Sequence, residues 1–196
     1  MTTRDSLPDK FSADTLDSLA DEMHNARREA VGRGLIIDDV DADPLCGAER
    51  AVASSIDSGG MTYLGTGAGR VVFALDDEYA VKFARYGEDD LTNGVFQNHR
   101  EIRIYEGVGD DYPLLPVVAA NAETEKWVVM PRVEPLSDDP NEELDDYSDM
   151  MALSDALAPL FEYIHLPEVN PQNVAYYGGE LHLFDSGRPY IPLDEV

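Results

Sequence analysis

Residues 64–84 read LGTGAGRVVFALDDEYAVKFA, and this stretch indicates the fold class more clearly than any other. Its three glycines, Gly65, Gly67 and Gly69, are followed at 71–73 by two valines and a phenylalanine, which favour a strand. An Asp-Asp-Glu turn and a second apolar run come next. The stretch therefore predicts consecutive strands, with a glycine-rich turn between the first two.

The glycine spacing is compatible with two kinds of nucleotide-binding turn. A dinucleotide-binding turn lies between a strand and a helix. A lid that covers nucleotide phosphates lies between two strands. The strand expected after Gly69 favours the lid, and a plain glycine-rich hairpin without a ligand remains an alternative.

Lys82 is the second feature of this stretch. The chain has only three lysines, Lys10, Lys82 and Lys126. A lysine on an apolar strand of such a chain suggests a specific role for its ammonium group. Reaching nucleotide phosphates is one such role. A strand lysine whose end extends into solvent is the alternative.

A helix predicted over residues 95–106 carries Glu101. Helical spacing places Phe96 and Ile104 on its packing face, with Tyr105 as a further candidate, and Glu101 close to the edge of that face. From there the carboxylate could pair with Lys82 and fix its position. A solvated helix glutamate is the alternative.

The rest of the chain predicts helices and two strand pairs. The helix over 148–165 is expected to bury Met151, Leu153, Leu157, Leu160, Phe161 and Ile164. Ser12 is the expected N-cap of the first helix. The other predicted elements are helices over 12–33 and 47–56 and strand pairs at 116–120 with 126–131 and at 174–177 with 180–184.

The composition excludes several function classes. Of 196 residues, 40 are acidic and 14 basic, giving a formal net charge of −26, which disfavours nucleic acid and anionic membranes as partners. No apolar run approaches the length of a membrane span. The four histidines are widely separated, and the acidic run at 38–43 lacks the glycine and glutamate of a calcium loop. Cys46 is the single cysteine and is expected to be a packing residue.

The acidic residues are spread along the whole chain while lysine is scarce. This pattern resembles proteins of salt-accumulating halophiles, because concentrated salt screens the repulsion within such a surface. The expected location is a cytoplasm: that of a halophile, or of a host cell if the protein is viral. An ordinary acidic protein is the alternative.

The ordered set of motifs resembles the protein-kinase-like fold, and most closely the small, truncated kinase-like proteins of phages and archaeal viruses. The resemblance implies an α+β chain: a kinase-like N-lobe with a five-stranded antiparallel sheet and one helix, a minimal helical C-lobe and an N-terminal helical extension. The implied domains are 1–60, 61–133 and 134–196. The matching pieces are the loop 65–69, the strand 80–82, Glu101, the strand end 128–133, Asn173 and the Asp-Ser-Gly at 185–187.

The resemblance also implies ATP and Mg²⁺ as cofactors and assigns a role to each matching position. Glu101 pairs with Lys82, the carbonyl of Pro131 and the N–H of Val133 bind adenine, and Glu168 stands at the position of the catalytic base. The implied phosphate-binding residues are Gly65, Thr66, Gly67, Ala68, Gly69 and Lys82; Met130, Pro131 and Val133 contact adenine; Asn173 and Asp185 bind the metal.

The catalytic segment departs from the family pattern. Glu168 replaces an aspartate, Leu166 and Pro167 replace a His-Arg pair, and Asn170 replaces a lysine. Nine residues follow position 187 in this sequence, so a peptide-binding platform is not expected within them. These departures favour a pseudokinase-type binding or regulatory module with a protein partner. The alternatives are an active phosphotransferase with Glu168 as base, acting on a small molecule, a docked protein or itself, and an unrelated α+β domain.

Overall fold

The computed structural model describes residues 7, 11–34, 45–88, 92–108, 111–137, 148–160 and 169–187. It divides into two compact units. The first comprises Met1–His99 and Val117–Arg132, and the second comprises Arg100–Pro116 and Val133–Val196. Each unit has its own hydrophobic core. Within the described ranges, no helix has both the length and the apolar character needed to cross a membrane.

A five-stranded antiparallel sheet forms the centre of the first unit. Its strands are β1 (Thr62–Thr66), β2 (Arg70–Ala74), β3 (Tyr79–Ala84), β4 (Ala119–Ala120) and β5 (Trp127–Pro131). They are ordered β1-β2-β3-β5-β4 across the sheet. A helix, α3 (Gly94–Val108), lies between β3 and β4 along the chain. The expected α+β class, with an antiparallel sheet of five strands and one helix, is confirmed.

Two of the three inner strands, β2 and β3, supply the centre of the core. Val71 pairs with Phe83 and Phe73 pairs with Val81, and all four side chains are fully buried. The rings of Phe73 and Phe83 are tilted with centroids 5.9 Å apart. Burying each such side chain contributes about 1.5–3 kcal/mol. Because side chains alternate along a strand, the next pair, Val72 with Lys82, faces the other side of the sheet.

The N-terminal segment packs on this sheet through two helices, α1 (Ala13–Gly32) and α2 (Gly47–Ser58). Ser12 caps α1 as predicted, since its side chain accepts a hydrogen bond from the N–H of Thr15 at 3.1 Å. Leu16 and Met23 of α1 and Ile56 of α2 share one core with the sheet residues.

Polar contacts fix α1 to the chain around β5. Asp17 accepts a hydrogen bond from Nε1 of Trp127 at 2.6 Å and also binds the amide of Asn121. Asp21 pairs with Lys126 at 2.6 Å. The first helix is therefore attached to the sheet by both apolar burial and directed hydrogen bonds.

The second unit contains a helix, a short 3₁₀ turn and a hairpin. These are α4 (Ser148–Leu157), the turn Ala158–Leu160, β6 (Val174–Tyr177) and β7 (Glu180–Leu183). Gly178 and Gly179 have φ values of 64° and 93°, which a two-residue turn with positive φ at both positions requires. The predicted hairpin is confirmed. Leu157, Val174 and Leu183 lie in the core of this unit.

Three details of the predicted elements are wrong. The helix begins at Ser148 as expected, but residues 158–160 form a 3₁₀ turn, because Pro159 has no N–H to donate to the preceding helical turn. Met151 is 67% exposed, and Met150 is buried in its place. The rest of that predicted helix, residues 161–168, lies outside the described residues. The strand predicted over 116–120 is limited to Ala119–Ala120.

Candidate functional site

The glycine-rich segment is a hairpin turn between two strands. β1 ends at Thr66 and β2 begins at Arg70, and the N–H of Gly67 donates to the carbonyl of Arg70 at 2.8 Å. The predicted strand–turn–strand order is confirmed. The dinucleotide-binding alternative is wrong, because no helix follows the glycines.

Packing explains some of the glycines here but not others. A Cβ on Gly94 would lie 1.9 Å from the carbonyl oxygen of Gly69, and a Cβ on Gly69 would lie 2.6 Å from Nε2 of Gln97. A Cβ on Gly65 or Gly67 would meet nothing within 4 Å, and neither residue has a positive φ. Glycine costs roughly 0.5–1 kcal/mol relative to alanine inside a strand. Neither a close packing contact nor a positive φ calls for glycine at position 65, inside β1 beside a register irregularity, or at position 67, just after β1.

Arg85, directly after β3, connects the glycine-rich turn to the N-terminal segment. Its side chain is 1% exposed. Nε donates to Oε1 of Glu49 at 2.7 Å and Nη2 donates to Oε2 at 2.9 Å. Nη1 donates to the carbonyl of Gly67 at 2.7 Å, and the backbone N–H donates to the carbonyl of Gly69 at 2.8 Å. One buried residue thus contacts both α2 and the glycine-rich turn.

Glu49 is the fully buried counter-ion of this network. Its carboxylate also accepts from the N–H of Cys46 at 2.9 Å and pairs with Arg27 at 3.4 Å. Burial alone would raise the pKa of Glu49. The hydrogen bond and charge of Arg85, with smaller contributions from Cys46 and Arg27, outweigh burial, so the pKa lies below its ordinary value. The carboxylate is therefore ionised at neutral pH.

Sequence reasoning missed both members of this pair. Glu49 is one of 40 acidic residues, and nothing in its local sequence marks it as buried. Arg85 offered a weak signal, because it directly follows a buried strand in a chain with 14 basic residues.

Lys82 lies in the middle of β3, paired with Val72 on one side and Val128 on the other. It is 7% exposed. This burial does not fit the alternative of a surface lysine whose ammonium group extends into solvent. Its role with phosphates stays a prediction.

Glu101 is 1% exposed, so the alternative of a solvated helix glutamate is wrong. The predicted packing face of α3 is incomplete. Ile104 and Tyr105 pack against the core of the second unit, but most of the buried side chains of the helix are polar. Its buried residues are Gly94, Gln97, Asn98, Glu101 and Ile102, whereas Phe96 and Ile104 are only partly buried. Glu101 belongs to the second unit and Lys82 to the first, and their pairing stays a prediction.

Asn98 has a structural role that the sequence did not suggest. Its side-chain amide donates to the carbonyl of Glu125 at 2.9 Å. Glu125 has a φ of 52°, in the left-handed region that non-glycine residues seldom adopt. The side chain of Glu125 also binds Nδ1 of His99 at 2.8 Å. Two successive residues of α3 therefore hold the turn before β5.

The predicted adenine-binding residues lie at and just after the end of β5. Met130 pairs with Ala80 and Pro131 with Tyr79. The next residue, Arg132, donates its N–H to the carbonyl of Glu78 at 2.7 Å. In an antiparallel pair, only every second residue of a strand forms hydrogen bonds to a given neighbouring strand. Arg132 forms such a bond on the β3 side, so the preceding residue, Pro131, does not need an N–H there. Val133 belongs to the second unit, and the adenine contacts stay predictions.

Asn173 and Asp185 flank the β6–β7 hairpin at its open end. Asn173 directly precedes β6, and Asp185 is the second residue after β7. The N–H of Phe184 donates to the carbonyl of Asn173 at 3.0 Å, so the two segments are joined there. The hairpin thus brings a carboxylate and a side-chain amide to one end, and their oxygens are the hard ligands that Mg²⁺ prefers.

The third part of the predicted site, Glu168 with Leu166 and Pro167, lies outside the described residues. Within the described ranges, no three or more histidine, cysteine, aspartate or glutamate side chains form a metal-binding group. A magnesium ion that accompanies a nucleotide needs fewer protein ligands. It is usually held by one or two carboxylates together with phosphates and water.

No protein-family model matches this sequence, and no curated protein matches it. Solved structures do match. APH(2")-IIa in a ternary complex with streptomycin and ATP is 12% identical, with a TM-score of 0.37 over 73% of this chain and 72% of the other. The Lpg2603 kinase of Legionella pneumophila bound to IP6 is 16% identical, with a TM-score of 0.36 over 67% of this chain and 50% of the other.

A third match is the CAK complex of Chaetomium thermophilum bound to ATP-gamma-S, at 16% identity and a TM-score of 0.40 over 76% of this chain and 53% of the other. The matched structures are protein-kinase-like. This chain spans about half the length of two of them, 50% and 53%. TM-scores this low and identities of at most 16% establish neither an activity nor a ligand for this chain.

Proposed function

We propose that this chain is a kinase-like protein that binds ATP together with Mg²⁺. The observation that carries the proposal is the glycine-rich turn between β1 and β2. Gly65 and Gly67 are glycines that the fold does not require, because a Cβ would meet nothing at either position and neither has a positive φ. The missing side chains leave room for a ligand to approach the backbone closely, as phosphates do at glycine-rich turns.

Other parts of the chain supply the remaining chemistry in this proposal. Lys82 binds the phosphates, and Glu101 holds Lys82 in place. Asn173 and Asp185 bind the magnesium ion, which neutralises phosphate charge. The carbonyl of Pro131 accepts from the adenine amino group.

We further infer that the chain acts by binding, as a pseudokinase-type regulatory module, and not by phosphoryl transfer. The catalytic segment has glutamate at position 168 in place of aspartate and lacks the expected His-Arg pair. A longer side chain displaces its carboxylate, and proton transfer depends on placement of the base.

The acidic surface and the scarcity of lysine support a salt-rich cytoplasm as the working environment, so the tests below use molar KCl.

Replacing both Gly65 and Gly67 with alanine tests the proposal. Each substitution should leave the free energy of unfolding unchanged or raise it by about 0.4–1 kcal/mol, because alanine restricts the unfolded chain and meets no atom in the folded one. The affinity for ATP in excess Mg²⁺ should fall at least tenfold, about 1.4 kcal/mol, because two methyl groups then occupy the approach to the backbone. Calorimetric titration and urea unfolding measure the two quantities.

Gly107→Ala is the matched control. Gly107 is an exposed glycine of α3 at which a Cβ also meets nothing. Its replacement should stabilise the helix by up to about 1 kcal/mol and leave ATP affinity unchanged. If the wild-type protein does not bind ATP, or if the variant at 65 and 67 binds it as well as the control does, the proposed function is wrong.

A further inference from the structure

Three successive carbonyl groups of the glycine-rich turn face a single residue. Nη1 of Arg85 donates to the carbonyl of Gly67 at 2.7 Å and approaches that of Ala68 at 3.4 Å. The backbone N–H of Arg85 donates to the carbonyl of Gly69 at 2.8 Å. A single neighbouring residue thus determines the orientation of the turn's peptide groups.

That orientation also determines where the N–H groups of the turn point. In a planar trans peptide the C=O and the next N–H point in opposite directions, and every peptide in the described residues is trans. With the carbonyls of Gly67 and Ala68 turned toward Arg85, the N–H groups of Ala68 and Gly69 point away from it. Two adjacent backbone donors pointing to one side form an arrangement suited to an anion.

Arg85 is placed to orient this turn and not to bind a ligand itself. Its side chain is 1% exposed, and its Nε and Nη2 donate to the two oxygens of Glu49. Glu49 lies on α2, and Arg27 of α1 reaches the same carboxylate and also donates to the carbonyl of Tyr86 at 2.8 Å. The helices that precede the sheet thus supply the counter-ion that keeps the guanidinium in place.

Such a tether bears on affinity because glycine loses more backbone freedom on ordering than any other residue. If a turn with three glycines becomes ordered only when its ligand binds, the backbone entropy lost on ordering lowers the affinity. A turn already held in the binding conformation avoids the loss. The charge-assisted bonds from Arg85 are of the strong kind that can hold it.

We propose that Arg85 and Glu49 are positioning residues for the nucleotide phosphates, with Glu49 holding Arg85 and Arg85 orienting the N–H groups of Ala68 and Gly69 toward them. This proposal rests on the proposed function. In this proposal the N-terminal helices increase the affinity of the glycine-rich turn for phosphate.

Arg85→Lys is the first test variant. Lysine keeps the positive charge beside Glu49, but its single ammonium group lacks the fork that spans the carboxylate and the Gly67 carbonyl together. In the nucleotide-free protein, the ¹⁵N order parameters of Ala68 and Gly69 should fall from about 0.85 to below about 0.6. The affinity for ATP should fall about tenfold, while that for adenosine, which has no phosphates, should not change.

A second variant covers the case in which Arg85→Lys fails to fold. In the double variant Glu49→Leu/Arg85→Met, apolar side chains of similar size replace the ion pair, a change that buried pairs often tolerate. It removes the same tether and should give the same loss of order and of ATP affinity. Arg33→Lys is the control, since Arg33 is an exposed arginine of the N-terminal segment whose side chain forms an ion pair with the exposed Glu29.

The outcomes separate this proposal from the proposed function. If the wild-type protein binds ATP and both variants bind it equally well with rigid turns, the positioning role is overturned and nucleotide binding stands. If the variants lose ATP and adenosine affinity alike, Arg85 has a general structural role and the proposal is also overturned. If the wild-type protein does not bind ATP at all, the proposed function and the positioning role fall together.

Discussion

Replacing Asp185 with alanine is expected to reduce ATP binding in excess Mg²⁺ to the level measured without Mg²⁺. Asp185 lies at the open end of the β6–β7 hairpin, beside the segment that carries Asn173. In the proposed site it supplies the one charged protein ligand of the metal, and an amide oxygen alone is a weak ligand for Mg²⁺. Calorimetric titrations of both proteins, with Mg²⁺ and with a chelator, measure the difference.

Asp149→Ala is the matched control for that experiment. Asp149 is a carboxylate of the same unit, and it accepts a hydrogen bond from the hydroxyl of Tyr176 at 2.6 Å. Its loss removes the same charge from the same unit but should leave Mg²⁺-dependent binding intact. Equal Mg²⁺-dependent affinity in wild-type protein and Asp185→Ala would contradict the assignment of Asp185 as a metal ligand.

Replacing Glu49 with glutamine is expected to lower the free energy of unfolding by about 3–5 kcal/mol at neutral pH. Both oxygens of Glu49 bind the guanidinium of Arg85, and both side chains are buried. Glutamine keeps the shape but removes the charge, which leaves the guanidinium of Arg85 without its counter-ion in the core. Urea unfolding in molar KCl measures the loss.

The same variant has an expected pH dependence. The pKa of Glu49 lies below its ordinary value, so its stabilising contribution is complete above about pH 4.5 and is lost as the pH falls through the folded-state pKa. The difference between wild-type protein and Glu49→Gln should therefore shrink in acid. Glu29→Gln removes a carboxylate from an exposed pair with Arg33 and should cost less than about 1 kcal/mol. A loss for Glu49→Gln as small as for Glu29→Gln would contradict the buried network.

The strands and turns were predictable because their signals are local. Val71, Val72 and Phe73 favour a strand wherever they occur, and Gly178-Gly179 between two apolar runs predicts the hairpin turn. The hairpin in turn brings Asn173 and Asp185 to one end, although they are twelve positions apart in the sequence. The part of the site that depends on adjacent elements thus followed from the sequence.

The buried face of α3 was not predictable in the same way. Periodicity methods look for apolar residues, and they selected Phe96 and Ile104. Ile104 does pack against the core of the second unit, but the helix buries Gln97, Asn98 and Glu101 more deeply. Polar side chains can be buried when they are hydrogen-bonded. Asn98 shows the reason, since its amide binds the carbonyl of Glu125. Partners so far along the chain leave no periodic signal.

The ion pair of Glu49 and Arg85 was even less predictable from the sequence. Its members are 36 positions apart, and Glu49 precedes the glycine-rich stretch on which the sequence prediction rests. A glutamate in a helix is normally on the surface. Only the packing of α2 against the sheet places this carboxylate in the core beside the glycine-rich turn.

The central claim, that this chain holds ATP and a divalent metal at the predicted residues, is tested most directly by paramagnetic NMR. Mn²⁺ replaces Mg²⁺ in the presence of ATP in molar KCl, and a sample with Mn²⁺ but no ATP controls for binding to the acidic surface. We predict ATP-dependent broadening of the backbone amide signals of residues 65–69, Asn173 and Asp185, stronger than that of Gly178-Gly179 at the other end of the hairpin. Broadening that is the same without ATP, or that leaves residues 65–69, Asn173 and Asp185 unaffected, would contradict the claim.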